Sequence, residues 1–161
     1  MKEKRHLVAP ADALIERFGP VDMVSSWFPF DFTAYYEPEM GTPLFRRVLA
    51  FKMLIKQSVL AQIKIATNDL EQAYLTGGKR TVNIDPGYML PERFVLATGK
   101  NYSHRIYIGS QIYADLTLIY KKGRFQALPW TYPDYADKRM LTYLHQVRQK
   151  YVLDLRGACN G

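Results

Sequence analysis

Most of the side chains that can do chemistry fall in one region. Between Asn83 and Thr117 the chain places Asn83, Asp85, Lys100, His104, Arg105, Asp115 and Thr117 among β-branched and aromatic residues. His104, Asp115 and Asp85 are of the types that accept and return protons, so they are the candidate catalytic residues of a hydrolase-type acid–base reaction. Lys100 and Arg105 can meet a phosphate, and Asn83 and Thr117 can hydrogen-bond a ligand. Lys64 and Asn68, four apart on an expected helix, join the candidate ligand-binding set. Glu37 and Glu39 are the candidate metal ligands: on an extended chain residues two apart point the same way. A solvated turn is the plainer reading of that pair.

For His104, Arg105 and Asp115 the decisive question is register. Gly109-Ser110 reads as a two-residue type II′ turn, because Gly at the first central position is what that turn requires. Ile108 then pairs with Gln111 and His104 faces Asp115. A three-residue loop would instead pair Ile108 with Ile112 and set Arg105 opposite Asp115. Either way Asp115 gains an imidazole or cationic partner at about 5 Å between Cβ atoms. One reading is a cross-strand ion pair. The other is a His–Asp pair, with Asp115 orienting His104 as a general base.

These residues need a sheet to position them, and the segment 80–128 has the composition of one. Its strands are read as 94–98, 103–108, 111–120 and 125–128, joined by turn residues such as Gly99-Lys100-Asn101 and Lys122-Gly123. Asp85-Pro86-Gly87 reads as a type II turn with Gly87 at positive φ. Upstream, 10–18 reads as a helix stopped by Gly19-Pro20. Residues 21–36 are extended, with Pro29 marking an edge or bulge, and 42–55 form their return arm. The segment 58–75 reads as a helix capped by Ser58 and ended by Gly77-Gly78. Val59, Ile63, Ala66, Leu70 and Ala73 form its expected core stripe, and Lys64, Thr67, Asn68 and Glu71 its polar one. The aromatic run 130–135 is expected to cover one end of the sheet. A last helix, 138–155, buries Leu141, Leu144, Val147, Tyr151 and Leu155, and residues 156–161 read as a frayed tail.

Composition bounds the rest. The 161 residues, 48% hydrophobic and 14% aromatic, suit a single folded α+β domain. Cys159 is the only cysteine, so no internal disulfide forms, and no leader or membrane span is read, giving a cytoplasmic expectation with no membrane partner. The net charge of +7 favours an anionic partner. Gly77-Gly78-Lys79-Arg80 is no phosphate loop, since Arg80 stands where Ser or Thr is needed and the run leaves a helix instead of entering one. His6, His104 and His145 are scattered without paired cysteines, so no zinc signature exists, and no Gly-x-Ser-x-Gly elbow occurs. The residues name no cofactor.

The blocks S-S-W-F-P-F-D-F-T-A-Y-Y-E-P-E-M-G, I-K-I-A-T-N-D-L-E, N-I-D-P-G-Y, L-A-T-G-K-N-Y-S-H-R-I-Y-I, Y-A-D-L-T-L-I-Y and W-T-Y-P-D-Y, in this order, resemble domain-of-unknown-function family 4416. The likeness runs from about Ala13 to Tyr151 and implies a bacterial cytosolic origin but no mechanism. That family usually opens with an apolar strand of the K-L-F-V-G-L-L kind. This chain starts at about the helix that follows it, so the expected fold is a ferredoxin-like βαββαβ half with its first strand missing, extended by an antiparallel β-meander and a C-terminal helix. A vacant strand position makes a homodimer by strand exchange one expectation. Three functions compete: binding of an anionic small molecule such as a nucleotide, with or without hydrolysis; RNA binding on a basic, tyrosine-rich sheet face; and a non-catalytic structural or interaction role.

Overall fold

The structure is a computed structural model that describes residues 7–31 and 37–159. Helices are mixed with runs of antiparallel strands, and the class is α+β. The backbone clusters into two compact units, Met1–Asp85 and Pro86–Gly161.

The first unit opens with helix α1, Val8–Phe18, which starts two residues before the expected Pro10. It stops at Gly19, whose φ of 90° favours glycine and whose N–H returns to Ile15 O. Leu14 and Pro10 are buried, whereas Ile15 is exposed. Strands β1 (Val21–Val24), β2 (Phe28–Pro29), β3 (Phe45–Arg46) and β4 (Leu49–Phe51) make the expected return-arm pairing. β1 pairs with β4 and β2 with β3, all antiparallel. Between these two ribbons Ser25 is almost fully buried, and its Oγ accepts the N–H of Val48 at 2.9 Å. Pro29 sits in a strand only two residues long, where its missing N–H costs little. Part of the expected extended stretch, including Tyr35-Tyr36, lies outside the described residues.

Helix α2 is short, Glu37–Met40, and helix α3 spans Leu60–Ala73 after a single 3₁₀ turn at Gln57–Val59. Ser58 lies in that turn and does not cap the helix. The buried residues of α3 are Leu60, Ala61, Lys64, Ala66, Thr67 and Glu71. The expected faces hold only in part: Ala66 of the core stripe is buried, but so are three members of the polar stripe, while Ile63 and Leu70 are half-buried and Ala73 is exposed. The helix ends at Ala73, ahead of the expected Leu75, because β5 (Leu75–Thr76) and β6 (Lys79–Arg80) form a hairpin. Gly77 and Gly78, φ 58° and 74°, are the turn of that hairpin and not a helix cap.

The second unit is built on a five-stranded antiparallel sheet of β7 (Gly87–Leu90), β8 (Arg93–Thr98), β9 (Arg105–Gly109), β10 (Ile112–Lys121) and β11 (Arg124–Ala127). The ten-residue β10 is its spine. It pairs with β8 along one edge and with β9 and then β11 along the other. Gly87 is not the positive-φ centre of a turn: it begins β7, and a Cβ there would come within 2.5 Å of Val95 O. Only glycine permits so close a strand approach. Helices α4 (Pro133–Ala136) and α5 (Lys138–Cys159) complete the unit. α5 places His145 parallel to the Tyr120 ring, and the Arg148 guanidinium 3.4 Å over that ring, while Arg148 Nε donates to Pro91 O. Met140, Tyr143 and Leu144 are buried; Leu141, Val147, Tyr151 and Leu155 of the expected stripe are only half-buried. The helical backbone continues through Cys159, past the expected end at Leu155.

Candidate functional site

Two polar centres hold the residues singled out by type and spacing. The first, within the first unit, is centred on Arg80. Its Nε and Nη2 donate to the two carboxylate oxygens of Glu39 at 2.7 and 2.8 Å, and Nη1 donates to Glu71 Oε2 at 3.0 Å and Asn83 Oδ1 at 3.2 Å. Glu71, nearly inaccessible, also accepts the Ile84 N–H at 2.6 Å, and Lys64 Nζ donates to Ile84 O at 2.8 Å. The side-chain bond from Arg80 outweighs burial and holds the Glu39 carboxyl below its ordinary range; Glu39 in turn raises the Arg80 guanidinium.

This geometry changes the reading of several candidates. Glu37 and Glu39 lie on a helix, where residues two apart do not share a face, so the extended-chain argument for a metal pair does not apply. Glu39 already has a bidentate cation in Arg80. Among the described residues no group of three or more His, Cys, Asp or Glu is arranged to hold a metal. Lys64 is committed to a backbone carbonyl, and Asn83 bridges Arg80 and Asp85. Asp85 sits beside Arg46, 3.6 Å away, and ends the first unit, whereas His104 and Asp115 belong to the second. Asn68 is half-buried on α3.

The second centre lies within the second unit, where β9 meets β10. Residue pairing runs Ile112↔Gly109, Tyr113↔Tyr107, Ala114↔Ile106 and Asp115↔Arg105, with an irregularity between the first two pairs. The turn residues are Ser110 and Gln111, both at positive φ, as in a type I′ turn, so the expected Gly109-Ser110 type II′ turn is not formed. Ile108 is the bulged residue that restores the Arg105–Asp115 pairing of the longer-loop register. His104, just before β9, reaches the same carboxylate. Arg105 Nε donates to Asp115 Oδ2 at 2.8 Å, and His104 Nε2 lies 3.3 Å from that oxygen. Thr117 Oγ1 donates to the Asp115 carbonyl at 3.1 Å. All three side chains of the triad are almost wholly buried, Asp115 at 8%, Arg105 at 7% and His104 at 11% exposure.

The aromatic run after β11 packs onto this triad. The Trp130 ring stacks on His104, centroids 4.9 Å apart and planes within 12°. Tyr102 lies on the histidine at 5.4 Å. Tyr132 Oη accepts from Arg105 Nη2 at 3.2 Å, and the Lys100 carbonyl accepts from Nη1 at 3.0 Å. Burial alone would lower the Arg105 guanidinium, but its bonds to Asp115 and Tyr132 carry it above its ordinary value. A bulge in β10 explains how the run is anchored. Leu116 pairs with Val95 and Leu118 with Phe94, leaving Thr117 as the extra residue. Trp130 Nε1 donates to Leu116 O at 2.8 Å and Thr131 Oγ1 to Thr117 O at 2.5 Å. Side chains thus take carbonyls in the interval where β10 has neither β9 nor β11 beside it.

The structure therefore brings together four sequence candidates, His104, Arg105, Asp115 and Thr117, with Lys100 contributing its backbone. Tyr102, Trp130 and Tyr132 were not among the site candidates. The W-T-Y block was legible as a sheet cover, yet nothing in its spacing shows that Trp130 lands on His104.

An α+β fold with a five-stranded antiparallel sheet, carrying a buried carboxylate shared by an imidazole and a guanidinium, defines the class of chain at hand. This chain belongs to the family described as Domain of unknown function (DUF4416), whose model matches residues 1–151. No curated protein and no solved structure matches it.

Proposed function

We propose that the second unit binds an anionic small molecule, a nucleotide or another phosphate-bearing compound, on the surface formed by Tyr102, His104, Trp130 and Tyr132. The observation that carries this reading is the fixing of His104 from two sides, its edge by Asp115 and its face by Trp130. A histidine whose Nε2–H is turned to a carboxylate keeps Nδ1 as the lone-pair nitrogen, the arrangement used in general acid–base work. The charge distribution supports an anionic ligand in this unit. Residues 86–161 carry eleven Lys and Arg against five Asp and Glu, while residues 1–85 carry eleven against ten. Exposed Tyr102 and Tyr132 offer faces on which a planar ring can stack. Arg105, tied by three hydrogen bonds, acts in this reading as the frame of the site; exposed Lys100, Tyr102 and Tyr132 meet the ligand, and the largely buried His104 reaches it only by the small part of its ring left accessible.

RNA binding is the second reading, supported by three exposed tyrosines, Tyr102, Tyr107 and Tyr132, on the unit with the charge excess. A purely structural role is supported by the full pairing of buried polar atoms among the described residues. Residence in a bacterial cytoplasm, a ferredoxin-like relation of the first unit's elements and a homodimer belong to the same proposal.

Thermal unfolding in the presence of inorganic phosphate, nucleotides, sugar phosphates and short single-stranded RNA tests it. A ligand at a hundred times its Kd stabilises the folded state by about 2.7 kcal/mol, a readily measured rise in Tm. The expected result is a rise with a nucleotide or phosphate compound that His104→Ala and Trp130→Ala abolish. A rise with RNA alone moves the assignment to the second reading. No rise with any probe removes the ligand site.

A further inference from the structure

Far from the chemistry just described in sequence, the segment after β4 has an unusual surface. Residues 52–58 are all exposed. Three of them in succession are large and apolar: Met53, Leu54 and Ile55, at 61%, 53% and 46% exposure. A strand or helix would turn one of three neighbours inward, as happens just before, where Phe51 contacts the Phe18 ring at 6.1 Å. Here all three stay largely exposed, with Met53 touching the protein where its Cγ lies against Gly19. Lys52 and Lys56 bracket the triplet, and among the described residues neither forms an ion pair. Single exposed apolar residues are ordinary, but a contiguous bulky run marks a contact surface.

We propose that Lys52-Met53-Leu54-Ile55-Lys56 docks on an anionic lipid surface, with the three apolar side chains entering the headgroup boundary and the two lysines meeting lipid phosphates. Charge complementarity selects this occupant. A second copy of the chain placed on the same surface would bring four lysines together, and a neutral apolar partner would leave them without counter-charge. An anionic bilayer takes both parts of the pattern at once, each lysine near the surface being worth about a fivefold gain in partition. The contact is peripheral: no helix among the described residues is long and apolar enough to cross a membrane.

Co-sedimentation with two kinds of vesicle tests the proposal, phosphatidylcholine alone and phosphatidylcholine with one quarter phosphatidylglycerol. The wild-type chain is expected in the pellet only with the anionic vesicles. Met53→Ser/Leu54→Ser/Ile55→Ser and Lys52→Glu/Lys56→Glu are each expected to lose at least tenfold in partition. Because these side chains are exposed, far-UV circular dichroism should show both variants folded. Equal sedimentation of wild type and the apolar variant would overturn the proposal, since general positive charge would then explain binding. So would absence of sedimentation. Light scattering on the same samples gives the remaining outcome: a wild-type dimer that the apolar variant dissolves would hand the surface to a second copy and overturn the lipid assignment.

Discussion

Arg80 and Arg105 are both guanidiniums held by carboxylates, yet their surroundings differ in a way that separates scaffold from site. Arg80 meets two carboxylates, Glu39 and Glu71, plus Asn83, and Glu71 is further tied to the backbone of Ile84. Every group there answers another, and both carboxylates are matched to the one guanidinium. Arg105 meets one carboxylate, which it shares with an imidazole, and exposed Tyr102 and Tyr132 stand alongside. Here an imidazole, whose ring nitrogens can both donate and accept, is built into the cluster. A closed ion network stiffens a fold. A carboxylate divided between a permanent cation and a histidine can also respond to a ligand.

The comparison can be broken most severely at Glu71. Its side chain is 4% exposed, so Glu71→Ala strands the Ile84 N–H and takes one of its two carboxylates from the Arg80 guanidinium, which keeps Glu39 and Asn83. The expected cost is about 3–5 kcal/mol, read as a fall in urea midpoint. Glu71→Gln, which can still accept from Ile84, should lose clearly less. Equal losses in the two variants would show that the hydrogen bond to Ile84 contributes nothing.

Asp115→Asn comes next. It keeps the shape and one acceptor oxygen but removes the charge that Arg105 and His104 share. A destabilisation of about 1.5–3 kcal/mol is expected, as for hydrogen bonds to charged groups. Any ligand-induced rise in Tm should vanish with it. A variant that unfolds earlier yet keeps its full ligand response would make Asp115 scaffold like Glu71.

Glu39 should give the smallest effect, and one that depends on pH. Its carboxyl is held below its ordinary range by the Arg80 hydrogen bond. A depressed folded value means that the stabilisation is fully present above the unfolded carboxylate range and is lost as pH falls through the folded value. The side chain is about one-third exposed, so solvent screens the pair and Glu39→Gln should cost only about 1 kcal/mol at pH 7. The gap between variant and wild-type unfolding midpoints should narrow on acidification. A gap unchanged from neutral to acid pH would show that charge plays no part.

Local chemistry made much of the fold legible. Gly19-Pro20 ended α1, the 42–55 segment returned along 21–30, and the Gly-containing turns marked the strands of the second unit. The faces of α3 were not legible. Periodicity places Lys64, Thr67 and Glu71 on a common stripe but cannot show that Ile84 and Arg80, between nine and twenty residues away in sequence, are there to satisfy Lys64 and Glu71. Ile63 and Leu70, only half-buried, should accordingly tolerate truncation better than core residues would. The β9–β10 register failed for a related reason. Ser110 and Gln111 adopt the left-handed conformation that sequence statistics reserve for Gly and Asn, and the bulge at Ile108 compensates the count. Two registers gave Asp115 either His104 or Arg105; the observed one gives it both, because His104 precedes the strand and is not bound by its alternation.

The shared edge of β10 has a consequence for motion. Because β9 and β11 occupy successive stretches of that edge instead of opposite sides, the ladder joining β9 to β10 ends before the one joining β11 begins. The β9 arm can therefore detach as a separate cooperative unit, with β8, β10 and β11 still zipped. Detachment would carry Arg105 away from Asp115 and undo the histidine's seat in the same event. A ligand that requires the assembled triad would then bind only the closed fraction of an opening equilibrium, and its apparent affinity would track how firmly this one arm is fastened.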